Sequence, residues 1–328
     1  MNITLFGCKD TTLHVAKFLS DLGIKIDLIT ISPKIAERND IAGYFDLTSN
    51  KKLFNSIYQA SNYSLNKKDD KDFFTENNTN LLGFCIGWQR LIPEYILDSY
   101  SIGVFGMHGS ARDLPFGKGR SPMNWAILEN RKWFHTNLFR YLAGVDNGPI
   151  VARYTFSIKD NDNAETLHYK NTLAMCFLIQ KNLNGLLDGT IKTKQQKDNP
   201  RETYYPKRNP EDGKIDWKDD IFNIERLIRA VSPPFYGGFS FKDKTEIKIY
   251  RANVFYTDVE NHPYLKDKFG KIVEVFPNGK FLVRCSGGVL IIHEYEGDSP
   301  EKGASFKNQK SSLSNFNRND YGFFDVAE

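Results

Sequence analysis

Short apolar runs typical of β-strands alternate, in the first half of the chain, with stretches whose apolar residues recur at helical spacing. The strand-like runs are residues 2–6, 25–31, 81–86 and 102–107. Between the first two, Val15, Phe18 and Leu22 recur on one predicted helix face. Because strand and helix patterns alternate, we expect a Rossmann-like α/β domain built on a parallel sheet. Ligands of such sheets bind beyond the carboxyl ends of the strands.

The second half of the chain changes from a helical to a strand-rich pattern. Residues 160–187 read as one helix, residues 192–213 as a polar, basic linker, and Ile221 to Val231 as a second helix that ends before Pro233. Five short strand-like runs with turn signals between them follow, which predicts a small barrel. We therefore expect a catalytic domain over residues 1–200, and the linker, helix and barrel over residues 201–328.

Composition narrows the class of protein without naming it. The formal net charge is +4, well below that of a dedicated nucleic-acid binder, and no run approaches the ~20 apolar residues of a membrane span. We therefore expect a cytoplasmic protein with no membrane partner. The four cysteines and six histidines are scattered, so no metal site is predicted. The turn after the first strand, Gly7-Cys8-Lys9-Asp10, lacks the GxGxxG pattern of dinucleotide sites.

One histidine and one aspartate stand in positions suited to catalysis. His108 follows an apolar strand and precedes a loop rich in glycine, proline and basic residues, while Asp146 lies in a glycine turn between two strand-like runs. A carboxylate beside an imidazole orients the ring and stabilises its protonated form. From the residues alone, a hydrogen-bonded loop histidine and a turn-forming aspartate explain the same pattern.

The order of several short motifs resembles the folate-dependent formyltransferases, which include methionyl-tRNA formyltransferases and sugar N-formyltransferases. These motifs are Met107-His108-Gly109-Ser110, Lys118-Gly119-Arg120-Ser121-Pro122, Asp146-Asn147-Gly148, Pro206-Lys207-Arg208 and Asp212-Gly213-Lys214-Ile215-Asp216-Trp217. Each motif is weak alone, but their order is specific and spans residues 1–305. The resemblance implies a Rossmann-like catalytic domain, an OB-like barrel, His108 and Asp146 as catalytic residues, and N10-formyltetrahydrofolate as cosubstrate without a metal.

The chain departs from this family at one catalytic position. Where the family has an asparagine two residues before the histidine, this sequence has Gly106. An asparagine amide can stabilise the oxyanion that forms when an amine attacks the formyl carbon. Restoring asparagine at this position should therefore keep or raise activity if only a donor is missing. A severe loss would indicate instead that Gly106 makes room for another group.

The resemblance also implies two loops that hold the folate. Their residues here are Gly87, Trp88, Arg90, Leu91, Gly144 and Val145. Trp88 could equally be a core residue and Arg90 a surface residue.

The predicted acceptor is the amine of a nucleotide-linked amino deoxysugar. Met123-Asn124-Trp125 is similar to the sugar-modifying members, and the low net charge also disfavours tRNA. Ser110, Lys118 and Arg120 are the expected substrate-binding residues, although the two cations could simply be solvated. Methionyl-tRNA formyltransferase and a folate-binding protein with altered or lost catalysis are the alternatives. A homodimer is compatible with the sequence, which leaves the oligomeric state open.

Overall fold

The computed structural model describes residues 2–76, 81–196, 202–256 and 262–310. It divides the chain into two compact units. The first comprises Met1–Gly119, Trp133–Phe156 and Tyr169–Glu202, and the second comprises Arg120–Lys132, Ser157–His168 and Thr203–Glu328. The predicted boundary between residues 200 and 201 falls within 197–201, which lie outside the described residues, so the domain division stays a prediction.

A seven-stranded sheet forms the centre of the first unit. Its strands are β1 (Asn2–Phe6), β2 (Lys25–Thr30), β3 (Ser56–Gln59), β4 (Leu82–Cys85), β5 (Gly103–Ser110), β7 (Trp133–Arg140) and β8 (Ile150–Ser157), in the order β3-β2-β1-β4-β5-β7-β8. The first five strands of this order pair in parallel, as the alternating pattern predicts. Two-residue strands, β6 (Lys118–Gly119) and β9 (Tyr204–Tyr205), are not part of this sheet.

The sheet is not parallel throughout, because β7 runs antiparallel to β5. Strand β4 pairs with β5 only as far as Cys85 opposite Gly106, whereas β7 pairs with β5 from Phe105 to Ser110. The free end of β5 is therefore supported from one side by β7. The predicted strand over residues 102–107 was too short, since the pattern of β5 alone does not reveal the partner that extends it.

Helices connect these strands. They are α1 (Asp10–Asp21), α2 (Pro33–Arg38), α3 (Lys68–Glu76), α4 (Glu94–Leu97), α5 (Pro122–Leu128), α6 (Ala164–Leu187) and α7 (Ile221–Val231), with 3₁₀ turns at Leu47–Leu53, Pro210–Gly213 and Pro263–Lys266. Helix α2 begins where the Ser32 side chain accepts a hydrogen bond from Ile35 N and Pro33 occupies the first turn. Helix α6 begins at Ala164, four residues after the predicted start at residue 160, because Asp162 accepts a hydrogen bond from Lys159 N in the preceding turn.

Apolar side chains from β1, β4 and α1 are fully buried in the first unit. Leu5 and Phe84 have no exposed surface, and Val15 and Leu19 from α1 pack in the same cluster as them. The spacing of Val15 and Leu19 is that of the predicted helix face, and period-two alternation is absent from the buried strands. Fully buried parallel strands account for this continuous apolar pattern.

The second unit contains a five-stranded antiparallel sheet. Its strands are β10 (Gly238–Lys242), β11 (Thr245–Phe255), β12 (Ile272–Val275), β13 (Phe281–Cys285) and β14 (Gly288–Glu296), in the order β10-β11-β14-β13-β12. The edge strands β10 and β12 do not pair with each other among the described residues. Residues 304–307 instead form backbone hydrogen bonds to both edge strands. Ile272 N of β12 donates to Ala304 O, and Lys307 N donates to Phe241 O of β10, each at 2.8 Å. A closed barrel is therefore not confirmed.

Helix α7 packs against this sheet through the apolar face that its sequence predicts. Ile224, Leu227 and Ile228 are buried in one cluster with Trp217 and Phe281. The Asp220 carboxylate accepts a hydrogen bond from Phe222 N at 2.9 Å and thereby caps the helix start.

Removing the Phe84 ring should destabilise the first unit strongly. We expect Phe84→Ala to lower the free energy of unfolding by about 3–5 kcal/mol, because the ring is fully buried and leaves a cavity. Leu22→Ala is the control: this side chain is 43% exposed, and we expect a change of about 0.5 kcal/mol or less. Urea denaturation followed by circular dichroism measures both. Equal losses in the two variants would contradict the assigned core.

Candidate active site

His108 lies within β5, on the part of the strand that extends past β4. It pairs with Asn137 of β7, and the last β4 pair is Cys85 with Gly106. The expected position, in a loop after the strand, is wrong because β5 continues to Ser110, three residues beyond its predicted end. A side chain on a paired strand is held more firmly than one on a loop. His108 is 7% exposed, so little of the ring faces solvent.

Asp146 lies in the turn between β7 and β8, as the glycine pattern predicts. Its backbone adopts a left-handed conformation, with φ of 49°, which aspartate tolerates better than most side chains. The Gln196 side-chain amide donates to the carbonyl oxygens of Asp146 and Gly148, at 2.6 and 2.9 Å. This amide fixes the turn from outside and therefore helps to position the carboxylate.

The turn brings the Asp146 carboxylate to the His108 ring. Nδ1 of His108 lies 3.2 Å from Oδ2 of Asp146, and Nε2 lies 2.8 Å from the carbonyl oxygen of Gly117. A carbonyl oxygen only accepts, so this contact is a hydrogen bond when the proton is on Nε2. Both ring nitrogens thus face acceptors. The doubly protonated ring satisfies both contacts, whereas a neutral ring satisfies only one of them.

Behind His108, a chain of polar side chains crosses β5, β7 and β8. Asn137 is fully buried, donates to the His108 carbonyl oxygen at 3.4 Å and accepts from Arg153 Nε at 2.9 Å. Arg153 also pairs with Asp113 at 2.5 Å, and Asp113 lies 3.7 Å from His135 Nε2. Burial lowers the pKa of His135, although Asp113 opposes the shift. This network holds the backbone of β5 in place.

Gly106 makes room for an aromatic ring. A Cβ built at residue 106 would overlap the ring of Tyr141, and the Tyr141 hydroxyl lies 2.5 Å from that Cβ position. Tyr141 follows β7 directly, its N–H donates to Val104 O at 2.8 Å, and its ring packs 5.2 Å from that of Phe139. An asparagine side chain therefore does not fit at residue 106 unless Tyr141 moves. Of the two outcomes expected from the sequence, the structure supports the one in which glycine makes space.

The first predicted folate loop is anchored on Tyr63. Trp88 is 6% exposed and its ring lies 4.9 Å from that of Tyr63, while the Arg90 guanidinium lies 5.6 Å from the same ring. Gln89 N donates to the Tyr63 hydroxyl at 2.7 Å. Gly87 has a φ of 78°, which allows the sharp turn out of β4. Trp88 is therefore a core residue and Arg90 an exposed one, and their folate-binding roles stay predictions.

Apolar side chains are exposed on both predicted folate loops. Leu91 is 59% exposed on the first loop, and Val145 is 41% exposed on the second, where Gly144 is exposed as well; Leu142, just before the second loop, is 48% exposed. Exposed apolar side chains mark a ligand site where they form one continuous patch, whereas single ones are common on protein surfaces. The pterin and benzoyl rings of a folate are aromatic and suit such a surface. Among the described residues, no group of three or more His, Cys, Asp or Glu could hold a metal ion.

The three predicted substrate-binding residues differ in their surroundings. Ser110 is fully buried, and its hydroxyl accepts from Arg112 N at 3.2 Å. Lys118 is 1% exposed and pairs with Glu202 at 2.9 Å, so it is not a solvated loop cation. Arg120 is exposed and belongs to the second unit. Their contribution to substrate binding stays a prediction.

The Asn124-Trp125 pair is part of the second unit's interior. Asn124 donates to Ala230 O at 2.6 Å, and Trp125 Nε1 donates to Pro206 O at 2.9 Å. The Trp125 ring stacks on Tyr205 with centroids 6.0 Å apart, and Arg208 lies 4.9 Å from its centre. This motif is therefore explained by packing.

Comparison with known proteins gives the site its context. Residues 207–311 match the family model described as the C-terminal domain of formyl transferases. Over 254 residues the chain is 27% identical to the bifunctional polymyxin resistance protein ArnA of Wigglesworthia glossinidia brevipalpis, covering 77% of this chain and 38% of that protein. The chain is therefore similar to formyltransferases. The resemblance inferred from the sequence motifs is thereby confirmed.

Two solved structures share the fold. HypX from Aquifex aeolicus, in complex with tetrahydrofolic acid, has a TM-score of 0.63 at 16% identity and covers 95% of this chain and 46% of its own. The N-formyltransferase from Helicobacter canadensis, in complex with folinic acid and dTDP-3-aminofucose, has a TM-score of 0.60 at 19% identity. The match covers 90% of this chain and 99% of that enzyme. The chain thus spans less than half the length of ArnA and of HypX.

Several residues that position the candidate site were not predicted from the sequence. Asn137 and Gln196 donate to the backbone carbonyls of His108 and Asp146, Arg153 donates to Asn137, and Tyr141 lies over Gly106. Gln196 lies in the stretch that reads as a linker, and no motif distinguishes the other three. One signal was available, because a missing side chain at Gly106 implies that another group fills its space.

A double-mutant cycle can test whether Gly106 is required by the Tyr141 ring. We expect Gly106→Ala to lower the free energy of unfolding by about 1–3 kcal/mol, because the new methyl group overlaps the ring. In a Tyr141→Ala background the same change should be neutral or stabilising by up to about 1 kcal/mol, since alanine replaces glycine within a strand. Chemical denaturation of the four proteins gives the coupling energy. Equal effects of Gly106→Ala in both backgrounds would refute this explanation.

Proposed function

We propose that this chain transfers the formyl group of N10-formyltetrahydrofolate to the amine of a nucleotide-linked amino deoxysugar. The observation that carries the proposal is the contact of 3.2 Å between His108 Nδ1 and Asp146 Oδ2, which joins the two residues that the sequence motifs single out. The relationship to the formyltransferases supports the reaction class, because members of that family are enzymes that transfer formyl groups.

His108 and Asp146 have complementary roles in this proposal. The amine attacks the formyl carbon, and its nitrogen then has to lose a proton, while the carbonyl oxygen gains negative charge. Asp146 holds Nδ1 of the ring and stabilises positive charge on it. Nε2 is the edge that turns to the substrates once its bond to the Gly117 carbonyl is exchanged. The ring can then donate to developing negative charge or, after losing a proton, accept one from the amine.

The cosubstrate is proposed to lie on the loops of residues 87–91 and 143–145. Leu91 and Val145 are exposed apolar residues on these loops, as a folate ring system requires. The H. canadensis N-formyltransferase binds folinic acid and HypX binds tetrahydrofolic acid, which supports a folate as the donor. When bound, the folate supplies the formyl group, and this chain's residues supply orientation and charge stabilisation.

The amino-sugar acceptor is the finer part of the proposal. The H. canadensis enzyme binds dTDP-3-aminofucose together with its folate, and this structure covers nearly the whole length of that enzyme. The net charge of +4 is small for a chain that binds tRNA through contacts to many phosphates. Of the two cations expected at a diphosphate, Arg120 is exposed, whereas Lys118 is available only if its pair with Glu202 opens.

Two other functions compete with this one. A methionyl-tRNA formyltransferase uses the same donor and differs in its acceptor. A folate-binding protein that no longer transfers formyl groups would explain Gly106, but the paired His108 and Asp146 argue against it.

Several finer expectations accompany the proposal. They are the catalytic role of residues 1–200, an OB-like fold for the C-terminal sheet, a cytoplasmic location, a role in polysaccharide biosynthesis and a homodimeric state. Among the described residues, no helix has the length and apolar character that a membrane span needs.

Replacing the histidine should abolish most of the transfer. We expect His108→Ala to lower kcat by at least about 100-fold, because the ring donates to the developing negative charge or accepts the proton of the amine. Binding of 5-formyltetrahydrofolate, measured by calorimetry, should stay within about threefold of wild type. His14→Ala, an exposed histidine of α1, is the control and should retain full activity. A loss of less than about tenfold in His108→Ala would remove His108 from the mechanism.

The acceptor can be identified by following tetrahydrofolate release from N10-formyltetrahydrofolate. We expect turnover with a dTDP- or UDP-linked amino deoxysugar and none with methionyl-tRNA, because the chain lacks a strongly basic surface composition. Turnover with methionyl-tRNA alone would select the first alternative. Folate binding without turnover of any acceptor would select the second.

A further inference from the structure

The position at which an asparagine side chain is expected holds the hydroxyl of another residue. Gly106 has no side chain, and the Tyr141 ring lies over its Cα with the hydroxyl 2.5 Å from the position of a Cβ. The amide of an asparagine begins one bond beyond its Cβ. The Tyr141 hydroxyl therefore occupies the volume that an asparagine amide would fill.

Tyr141 is held in this position from three sides. Its backbone N–H donates to Val104 O at 2.8 Å, and its ring packs on Phe139 with centroids 5.2 Å apart. The hydroxyl interacts with the Cys85 thiol at the end of β4. Two of these anchors belong to β4 and β5, so the hydroxyl has a fixed position relative to His108.

The hydroxyl also belongs to the same electrostatic site as the catalytic pair. Burial raises the pKa of Tyr141 well above its ordinary value, and Cys85 and the Asp146 carboxylate add to the shift. Burial likewise raises the pKa of Cys85 to about 12, so the thiol keeps its proton. The Tyr141 O–H donates to the Cys85 sulfur, which is a weak acceptor, so a substrate oxygen that gains negative charge can take its place.

Tyr141 is also accessible from outside the core. Its side chain is only half-buried, unlike that of Tyr100, which is 3% exposed in the same apolar cluster. Asp146 and the exposed Leu142 lie on the same short segment that Tyr141 begins. A substrate bound over residues 142–146 would therefore lie next to Tyr141.

We infer that Tyr141 is a catalytic hydrogen-bond donor that replaces the asparagine amide and stabilises the oxyanion of formyl transfer. This inference rests on the proposed function. The lone pair of the acceptor amine forms a bond to the formyl carbon, and the C=O π electrons move to oxygen, where the Tyr141 O–H donates a hydrogen bond without transferring its proton. The C=O bond then re-forms, the C–N10 bond breaks, and its electron pair stays on N10. The amine nitrogen loses one proton and N10 gains one, so the products are a formamide and tetrahydrofolate.

The assignment also explains why glycine and tyrosine occur together. A side chain at residue 106 and the ring at residue 141 exclude each other, because a Cβ alone overlaps the ring. The site therefore contains one donor whichever residue supplies it. A lost donor in such a site costs about 100- to 1,000-fold in kcat, whereas a tyrosine hydroxyl in the same place keeps the reaction fast.

Tyr141→Phe tests the inference, because it removes one oxygen atom and keeps the ring. We expect kcat to fall about 100- to 1,000-fold with KM for both substrates within about threefold. Tyr100→Phe is the matched control, since it removes a hydroxyl from a tyrosine of the same cluster outside the site, and it should retain wild-type kcat. Thermal unfolding of both variants shows whether they are folded.

A spectroscopic measurement separates hydrogen bonding from a structural effect. The N10-formyl analogue 10-formyl-5,8-dideazafolate, labelled with ¹³C at the formyl group and bound without an acceptor amine so that no transfer occurs, has a carbonyl stretch that falls in frequency when a donor binds its oxygen. We expect a lowered frequency in complexes with wild type and with Tyr100→Phe, and loss of that shift with Tyr141→Phe. An unchanged shift in Tyr141→Phe would overturn the assignment.

Rescue by the expected amide completes the test. Gly106→Asn alone should be severely impaired, because the new side chain collides with the ring. Gly106→Asn combined with Tyr141→Ala should regain at least tenfold in kcat over Tyr141→Ala alone, since the amide then has room. If wild type turns over an amine and Tyr141→Phe loses less than about threefold, the inference fails and the proposed function stands. If wild type turns over no acceptor, the proposed function fails and the inference with it.

Discussion

The site depends on the extension of β5 beyond its parallel neighbour β4. Strand β4 pairs with β5 only as far as Gly106. The residues of β5 that follow, up to Ser110, pair with β7. His108 lies on this extension and is held through Asn137 of β7. The chain then leaves β7 and returns as a turn that delivers Asp146 to the ring. One strand pairing thus positions both members of the pair.

A second constraint is the limited space next to Gly106. The space over Gly106 is filled once, by the ring of Tyr141, and close packing leaves no room for a further side chain. A change at residue 106 is therefore coupled to residue 141, although 35 residues separate them in the sequence. The position where the resemblance implies an asparagine is therefore filled by the ring and hydroxyl of Tyr141.

The loops that are predicted to hold the folate differ in how their residues are anchored. Residues 87–90 are anchored on Tyr63 through ring packing and a backbone hydrogen bond, whereas Leu91 and Val145 expose their apolar surface. Lys118, which reads as a loop cation, is instead buried against Glu202. Fixed polar groups next to exposed apolar ones are the usual composition of a small-molecule site.

The sequence alone determined the elements whose pattern is local. Strand β1, helix α7 with its stop before Pro233, and the glycine turn at Asp146 all follow from apolar periodicity and turn chemistry, because neighbouring residues decide them. The order of motifs also identified His108 and Asp146 as a pair and indicated the formyltransferase relationship. Tertiary structure decided the antiparallel pairing of β7, the continuation of β5 through His108, the burial of Lys118 and the ring over Gly106. Each of these depends on a partner distant in sequence, and a single sequence carries no record of which distant residue fills a given space.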